Sequence, residues 1–402
     1  MAGFTTRISS ANTYDNALEQ LMSRQSQLSK LQAQLSASKR VLRPSDDPTA
    51  AAQAERAITR QARVASEQRS LEVQRNAITV AESTLGDAVA AVQSFRTLVL
   101  QANSGTTSSA DRASIAQQLV ALRDQLLGYA NAKDSNGLPL FGGLGSSAQP
   151  FVDGGGVSFD GIAGQSASSD VGVPAALDGF ATWMDVPTGN GVFGIARAGG
   201  GTVGTGGVST DAGQVRNPAE LTGHRYEVRF SVADGLTTYD VVDLDSNSAV
   251  QTGQPYQSGQ AISFDGLSFV ASGTPAQGDA LSITPSTRSS LFGVLDQAIA
   301  TVREDSGAQL NQGVAQALAQ IDAGMARLSA SRGRAGDLLN QVDNIAARQE
   351  SRAVQLESDR SRAEDLDVVK ALSEFQTQQT VYSAALGSYA QIQKLSLFNF
   401  IS

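Results

Sequence analysis

Apolar residues return every seven positions near the start of the chain, at Tyr14, Leu21, Leu28, Leu35 and Leu42, with Leu18 and Leu31 on nearly the same face. The end of the chain keeps the same period in Val368, Phe375, Tyr382 and Tyr389, interleaved with Leu372, Leu386, Leu397 and Phe400. A strip of this kind on a helix marks a coiled-coil seam. Two readings fit it: an amphipathic helix packed within its own domain, or a terminal coiled coil completed only by neighbouring subunits. Gln25 and Gln32 at the start, and Gln379 and Gln393 at the end, fall in the same registers. They read as interruptions of the seam or as solvated positions. A fully buried Leu contributes ~1.5–3 kcal/mol, so a strip interrupted by amides poorly offsets the entropy of ordering about forty residues. The second reading therefore predicts ends that fray in the isolated chain and order on assembly.

Long stretches without helix breakers lie inside these strips. No proline occurs from Thr49 to Leu138 or from Ser286 to Ser402, and both stretches are rich in Ala, Gln, Leu, Arg and Glu. Such segments predict long helices. Ile58, Ala62, Ala65, Ile78, Ala81, Leu85, Val92, Phe95 and Val99 are the expected core face of one helix. Ile115, Leu119, Leu122 and Leu126 serve a second, which ends before an Asp134–Gly137 turn. Leu310, Val314, Ile321, Met325, Leu328, Leu338, Val342, Ile345 and Leu356 line a third, expected to run unbroken into the C-terminal strip. These helices should form an antiparallel bundle. Between the first strip and the bundle, Pro44 and Pro48 bias Arg43 and Asp47 to extended backbone and break the helix. Asp47 before Pro48 reads as an N-cap with proline at the first helical position. Capping also explains Asp46 beside Asp47 better than a metal or acid/base pair does.

The middle of the chain changes period. Tyr226, Val228, Phe230 and Val232 alternate with polar residues, Asp234-Gly235 follows, and TTYDVVDL returns. Ile262 and Phe264 run into Asp265-Gly266, Leu267 and Phe269 return, and Leu281 and Ile283 mark a further strand. These are antiparallel hairpins with tight turns. The fold class is thus mainly α with an inserted, Gly-rich antiparallel β domain. Expected domains are 1–43 plus 365–402 (terminal coiled coil), 44–140 plus 288–364 (bundle) and 141–287 (β insert).

Composition narrows the chemistry. The 402 residues contain no cysteine and one histidine, so thiolate chemistry, disulfides and zinc-thiolate sites are impossible, and any histidine-dependent site must use His224. The net charge of −9 is unevenly placed: +3 over 1–140, −10 over 141–287 and −2 over 288–402. No part is cationic enough to track a phosphate backbone, which excludes nucleic acid as a partner. The first residues lack the apolar run of a secretory signal, and no apolar stretch is long enough for a membrane span. The expectation is a soluble chain that is either cytoplasmic or exported without cleavage.

Several motifs imitate binding sites without completing them. Gly199, Gly201 and Gly204 satisfy GxGxxG, but no helical pattern follows, so a surface loop is expected. Asp243, Asp245 and Asn247 resemble the opening of a calcium loop, yet Ser248 stands where the turn glycine belongs and Gln254 where the bidentate glutamate belongs. His224, with Asp211 and Ser209 upstream, lacks a nucleophile elbow, and Trp183 reads as an anchor of a small core rather than a sugar platform. No catalytic residue, cofactor or metal is expected.

Lys39-Arg40-Val41, then Pro44 to Pro48 (PSDDP) with an alanine run, resemble a motif of the flagellin superfamily of bacterial axial proteins, in particular its hook–filament junction members. DSNGLPLFGG, ending in Phe141-Gly142 and Gly143, the 272–285 stretch SGTPAQGDALSITP, and the ending LSLFNFIS are also similar. The lysine-containing acidic turn ending in Ala-Gly, usual in flagellin, is missing. Ser38 departs from the usual glycine, and the likeness fades over 150–220. The resemblance implies a non-enzymatic adaptor ring joining hook-associated protein 1 to flagellin. It also implies export by the flagellar type III apparatus without a cleaved signal, and a chaperone on the C-terminal helix. The alternatives are a flagellin filament subunit, or an adhesin or carbohydrate-binding module in the insert, which would need exposed aromatics. Leu28→Asp, or loss of about thirty C-terminal residues, is expected to abolish incorporation while the bundle folds, since an unpaired buried charge is costly. Removal of 150–280 is expected to be tolerated.

Overall fold

The computed structural model describes residues 9–198, 207–304 and 307–401, with side chains from residue 15 to residue 391 within these ranges except residue 308. Six helices carry most of the chain: α1 (Ser9–Ala37), α2 (Pro48–Ala102), α3 (Ser109–Ala130), α4 (Leu291–Glu304), α5 (Gly307–Glu364) and α6 (Val368–Ile401). Two compact units divide it, Met1–Arg69 with Ala346–Ser402, and Ser70–Ile345.

The last helix of the bundle does not run unbroken into the C-terminal strip, as the lack of proline suggested. The chain leaves α5 at Glu364 and starts α6 at Val368, where Asp367 Oδ1 accepts from Lys370 N at 3.1 Å and caps the new helix. A carboxylate N-cap starts a helix without any breaker before it. α3 begins on a hydroxyl N-cap, Ser108, in a reciprocal capping box with Asp111.

In the first unit, α1 packs along α6. Leu366 N donates to Ser38 O at 3.1 Å, placing the end of α1 beside the start of α6, so the pair is antiparallel. In the second unit, Arg75, Glu82 and Arg96 of α2 pair with Asp343, Arg332 and Asp322 of α5; partner numbers fall along one helix as they rise along the other, which is an antiparallel pairing. Buried residues of α2 recur every seven at Val64, Leu71, Ile78, Leu85, Val92 and Val99, and those of α5 at Val314, Ile321, Leu328, Ala335 and Val342. This is coiled-coil spacing. The start of α2 is offset from the expected face: Ala54 and Ala57 are buried, whereas Ile58 is 41% exposed and Ala62 is exposed.

The segment after α3 is irregular before it is β. Its short strands β1 (Phe151–Asp153) and β2 (Val157–Phe159) pair, and a turn of π-helix follows at Phe180–Met184. Trp183, fully buried, stacks on Phe292 of α4 at 5.9 Å and meets Phe141 and Phe151 edge-on. The indole therefore anchors the helical core. β3 (Val186–Pro187), β4 (Phe193–Ala198), β5 (Gly207–Thr210) and β6 (Gln214–Val215) precede the long hairpin β7 (Tyr226–Ala233) and β8 (Leu236–Asp243). β9 (Ser248–Pro255), β10 (Ala261–Phe264), β11 (Leu267–Thr274), β12 (Ala280–Pro285) and β13 (Arg288–Ser289) complete the set.

One sheet has the order β4-β12-β7-β8-β9; in the other β11 lies between β10 and β5 and also pairs with β6. Phe193, Ile195, Tyr226, Val228, Phe230 and Ile283 from the first sheet share an apolar cluster with Ile262, Phe264, Phe269 and Ala271 from the second. Two sheets buried on one face each make a sandwich. Its entry and exit lie side by side, because Ser286 N donates to Val192 O at 2.8 Å and β13 pairs with β3. Removal of 150–280 would therefore take Phe151 and Trp183 out of the helical core, and that expectation is withdrawn.

Candidate assembly interface

The α1–α6 pair carries the terminal strips. Half-buried or buried positions on α1 are Ala17, Leu21, Arg24, Leu28, Leu31, Gln34 and Leu35, and on α6 Ala371, Phe375, Gln378, Tyr382, Ala385 and Tyr389. Spacings alternate between four and three along α6 and from Ala17 to Leu31 of α1, with Gln34 and Leu35 closing the stripe, so these residues form the seam that the two helices share within one chain. Leu18 (38% exposed) and Leu372 and Leu386 (47% and 43%) face away from it, as does Met22 at 57%. Val368 starts α6 and is exposed; Leu42 lies beyond the end of α1 and extends no helical seam. The side chains of Tyr14, Gln393, Leu397 and Phe400 lie outside the described residues, as does the Gly199–Gly204 motif.

Of the two readings of the amides, the solvated one holds where side chains are described. Gln25, Gln32 and Gln379 are exposed. The seam amides are Gln34, whose Nε2 donates to Arg40 O at 2.6 Å, and Gln378, whose Oε1 is buried without a partner among the described residues. A buried unpaired acceptor costs ~1–3 kcal/mol, so the seam is weak at that point.

Where α1 meets the break before α2, charged groups join four chain segments. Lys39 pairs with Glu364, Arg40 Nη2 donates to Ala363 O at 2.8 Å, and Arg40 Nη1 reaches Asp47 at 3.1 Å. Arg360 binds Glu357 at 2.7 Å and Glu364 at 3.1 Å. Asp47 Oδ1 accepts from Ala50 N at 3.0 Å and from Thr49 Oγ1 at 2.7 Å, which caps α2 above Pro48. Hydrogen bonds from Ala50, Thr49 and Arg40 pull its carboxyl down to about 2. Asp46 receives Lys30 Nζ at 2.9 Å and the backbone N–H groups of Leu42 and Arg43, and these bonds also lower it. Pro44 lies exposed within the turn so formed. Arg360 and Gln61 hold Glu357 at about 2.

The sites that resembled chemistry are absorbed by the fold. His224 Nδ1 lies 2.7 Å from Asp243 Oδ2, and that hydrogen bond raises the imidazole above its usual value. Burial alone would raise Asp243, but bonds from His224 and Ser246 outweigh it and hold the carboxyl well below the carboxylate range. Asp243 Oδ1 caps the turn through Asp245 N and Ser246 N, while Asp245 is clamped by Arg225 at 2.6 Å. The calcium-like trio is thus committed to a hairpin turn. Sequence reasoning missed Arg123, buried, which grips Asp296 at 2.9 Å together with Asp153 and Asp124 and ties α3 to α4 and β1. Nothing in the helical period distinguishes it from a solvated arginine.

These elements define a flagellin-like fold, mainly helical with a β-rich domain. Residues 8–146 match the model of the bacterial flagellin N-terminal helical region. The chain is 37% identical over 149 residues to flagellar hook-associated protein 3 of Salmonella typhimurium, and 35% over 151 residues to its Escherichia coli counterpart. Those stretches are 36% and 37% of this chain, and in each case the chain spans less than half, 46%, of the curated relative. Among solved structures, the flagellar junction protein FlgL of Legionella pneumophila is 29% identical with a TM-score of 0.66, covering 72% of this chain and 99% of that one. FlgL of Xanthomonas campestris is 27% identical with a TM-score of 0.68, covering 77% and 99%. No helix among the described residues is long and apolar enough to cross a membrane.

Proposed function

We propose that this chain is a structural, non-enzymatic subunit of the bacterial flagellum, an adaptor at the hook–filament junction that joins hook-associated protein 1 to flagellin. The observation that carries the reading is the unmated apolar stripe: Leu18, Met22, Leu372 and Leu386 stay exposed on a helix pair whose own seam is already occupied. Exposed apolar groups on both members of a narrow pair favour neighbours over water. Similarity to proteins named for the junction supports the same reading. In it the terminal pair, 1–43 with 365–402, packs with copies in a ring and with the adjoining layers, the bundle makes the outer contacts, and the acidic insert of 141–287 faces solvent. The chain travels through the flagellar type III apparatus without a cleaved signal, its C-terminal helix held by an export chaperone beforehand.

The aromatics of the insert argue against an adhesin groove, since of the described ones only Phe180 is exposed. Electron microscopy of a strain lacking this chain tests the proposal: hooks without filaments, with flagellin shed into the medium, are expected. Filaments of ordinary length on such cells would overturn it, and long filaments grown from the purified chain alone would favour a flagellin instead.

A further inference from the structure

The first unit has a groove of about 410 Å³ between α2 and α5, lined by three arginines and a single carboxylate, Asp359. Arg56 and Arg60 rise from α2 on one wall and Arg362 from α5 on the other, over a floor of Ala57, Leu356 and Ala363. Arg362 is met by Asp359 at 3.5 Å. Arg56 and Arg60 are exposed and make no hydrogen bond or ion pair among the described residues. Like charges four residues apart on a helix repel, so this pair weakens α2 unless an anion comes from outside.

The complementary feature lies on α1. Asp15 and Glu19 are also four apart, exposed and unpaired among the described residues, and Leu18 and Met22 continue their face. Residues 15, 18, 19 and 22 form one stripe down a helix, with two carboxylates flanking apolar side chains. The groove offers the matching arrangement of cations above an apolar floor.

We propose that the groove lined by Arg56, Arg60 and Arg362 receives the Asp15–Leu18–Glu19–Met22 face of α1 from a second copy of this chain. Two different surfaces of one chain then meet head to tail, the contact type that closes into rings. The carboxylates neutralise the arginine pair, and Leu18 and Met22 cover Ala57, Leu356 and Ala363. This rests on the reading of the chain as a self-associating flagellar subunit.

The chain has no cysteine, so introduced thiols report without background. Leu18→Cys combined with Gln53→Cys, on opposite partners of the proposed contact, is expressed in place of the native chain, and isolated flagella are treated with a short bismaleimide. A ladder of covalent multimers from the double variant, with each single variant remaining monomeric, is the expected result. Arg56→Glu with Arg60→Glu should lower incorporation at least tenfold, and adding Asp15→Arg with Glu19→Arg should restore it. Flagella that contain the double-cysteine chain but yield no multimers overturn the docking proposal and leave the flagellar assignment intact. Loss without charge-swap rescue also overturns it, assigning the groove to a different chain. Absence of the native chain from purified flagella removes the functional reading itself.

Discussion

Ser38 is held at φ 54°, in the left-handed region where a Cβ is strained, because α1 must end there and turn its carbonyl toward Leu366. This accounts for glycine being usual at the position in the family that the sequence resembles. Ser38→Gly should stabilise the chain by about 0.5–1 kcal/mol, the strain relieved less the unfolded-state entropy gained, as measured by denaturant unfolding. Carboxylates at the same break set an acid limit. Asp47 and Glu357 sit at about 2 when folded, below reference values of 3.8 and 4.5. Groups lowered in this way stabilise the fold above the unfolded value, and the contribution is lost as pH falls through the folded one. Protection of amides near 38–50 and 357–370 should therefore decline between about pH 4.5 and 2; unchanged hydrogen exchange across that range would show that the network is inert. Asp47 was legible as a cap from the Asp-Pro pair. Arg123 and the bond from Gln34 to Arg40 were not, since their partners are distant in sequence or lie on the backbone.

At the level of the helix, two leucines of one strip have parted. Leu21, 9% exposed, belongs to the chain's own seam, and Leu18 does not. Leu21→Asp should cost on the order of 3 kcal/mol and loosen the α1–α6 pair in the monomer. Leu18→Asp should leave monomer unfolding within about 0.5 kcal/mol of the parent, yet reduce incorporation into flagella. Circular dichroism melts beside immunoblots of sheared flagella separate the two effects. Leu28→Asp behaves as the Leu21 variant does, because Leu28 faces α6 in the same chain. The seven-residue period was plain in the sequence, but which of two adjacent registers faces the partner helix depends on the partner. The same limit placed Ile58 inside α2 when Ala57 is the buried residue. Hairpins were easier, because Asp234-Gly235 and Asp265-Gly266 both require positive φ, and each pair has it.

For the molecule as a whole, the β sandwich enters and leaves the helical core side by side at Val192 and Ser286, and α5 also reaches it, Gln312 through a buried pair of hydrogen bonds with Thr210 and Gln316 by donating to Ile195 O. Replacing 193–285 by a short glycine linker should leave the helical part folded, with Trp183, the only tryptophan, still buried against Phe292. An emission maximum that stays blue-shifted checks this; a shift to the red would mean that the sandwich is needed by the core. The β insert was recognisable as such from its glycines and alternation, whereas its true edge was hidden. The segment from 141 to 192 looks like loop by composition, and its aromatics reveal their role only by what they touch. Because entry and exit are adjacent, the polypeptide between them can be rebuilt without re-threading the helices, but any replacement must still answer Gln312 and Gln316 where Thr210 and Ile195 do now.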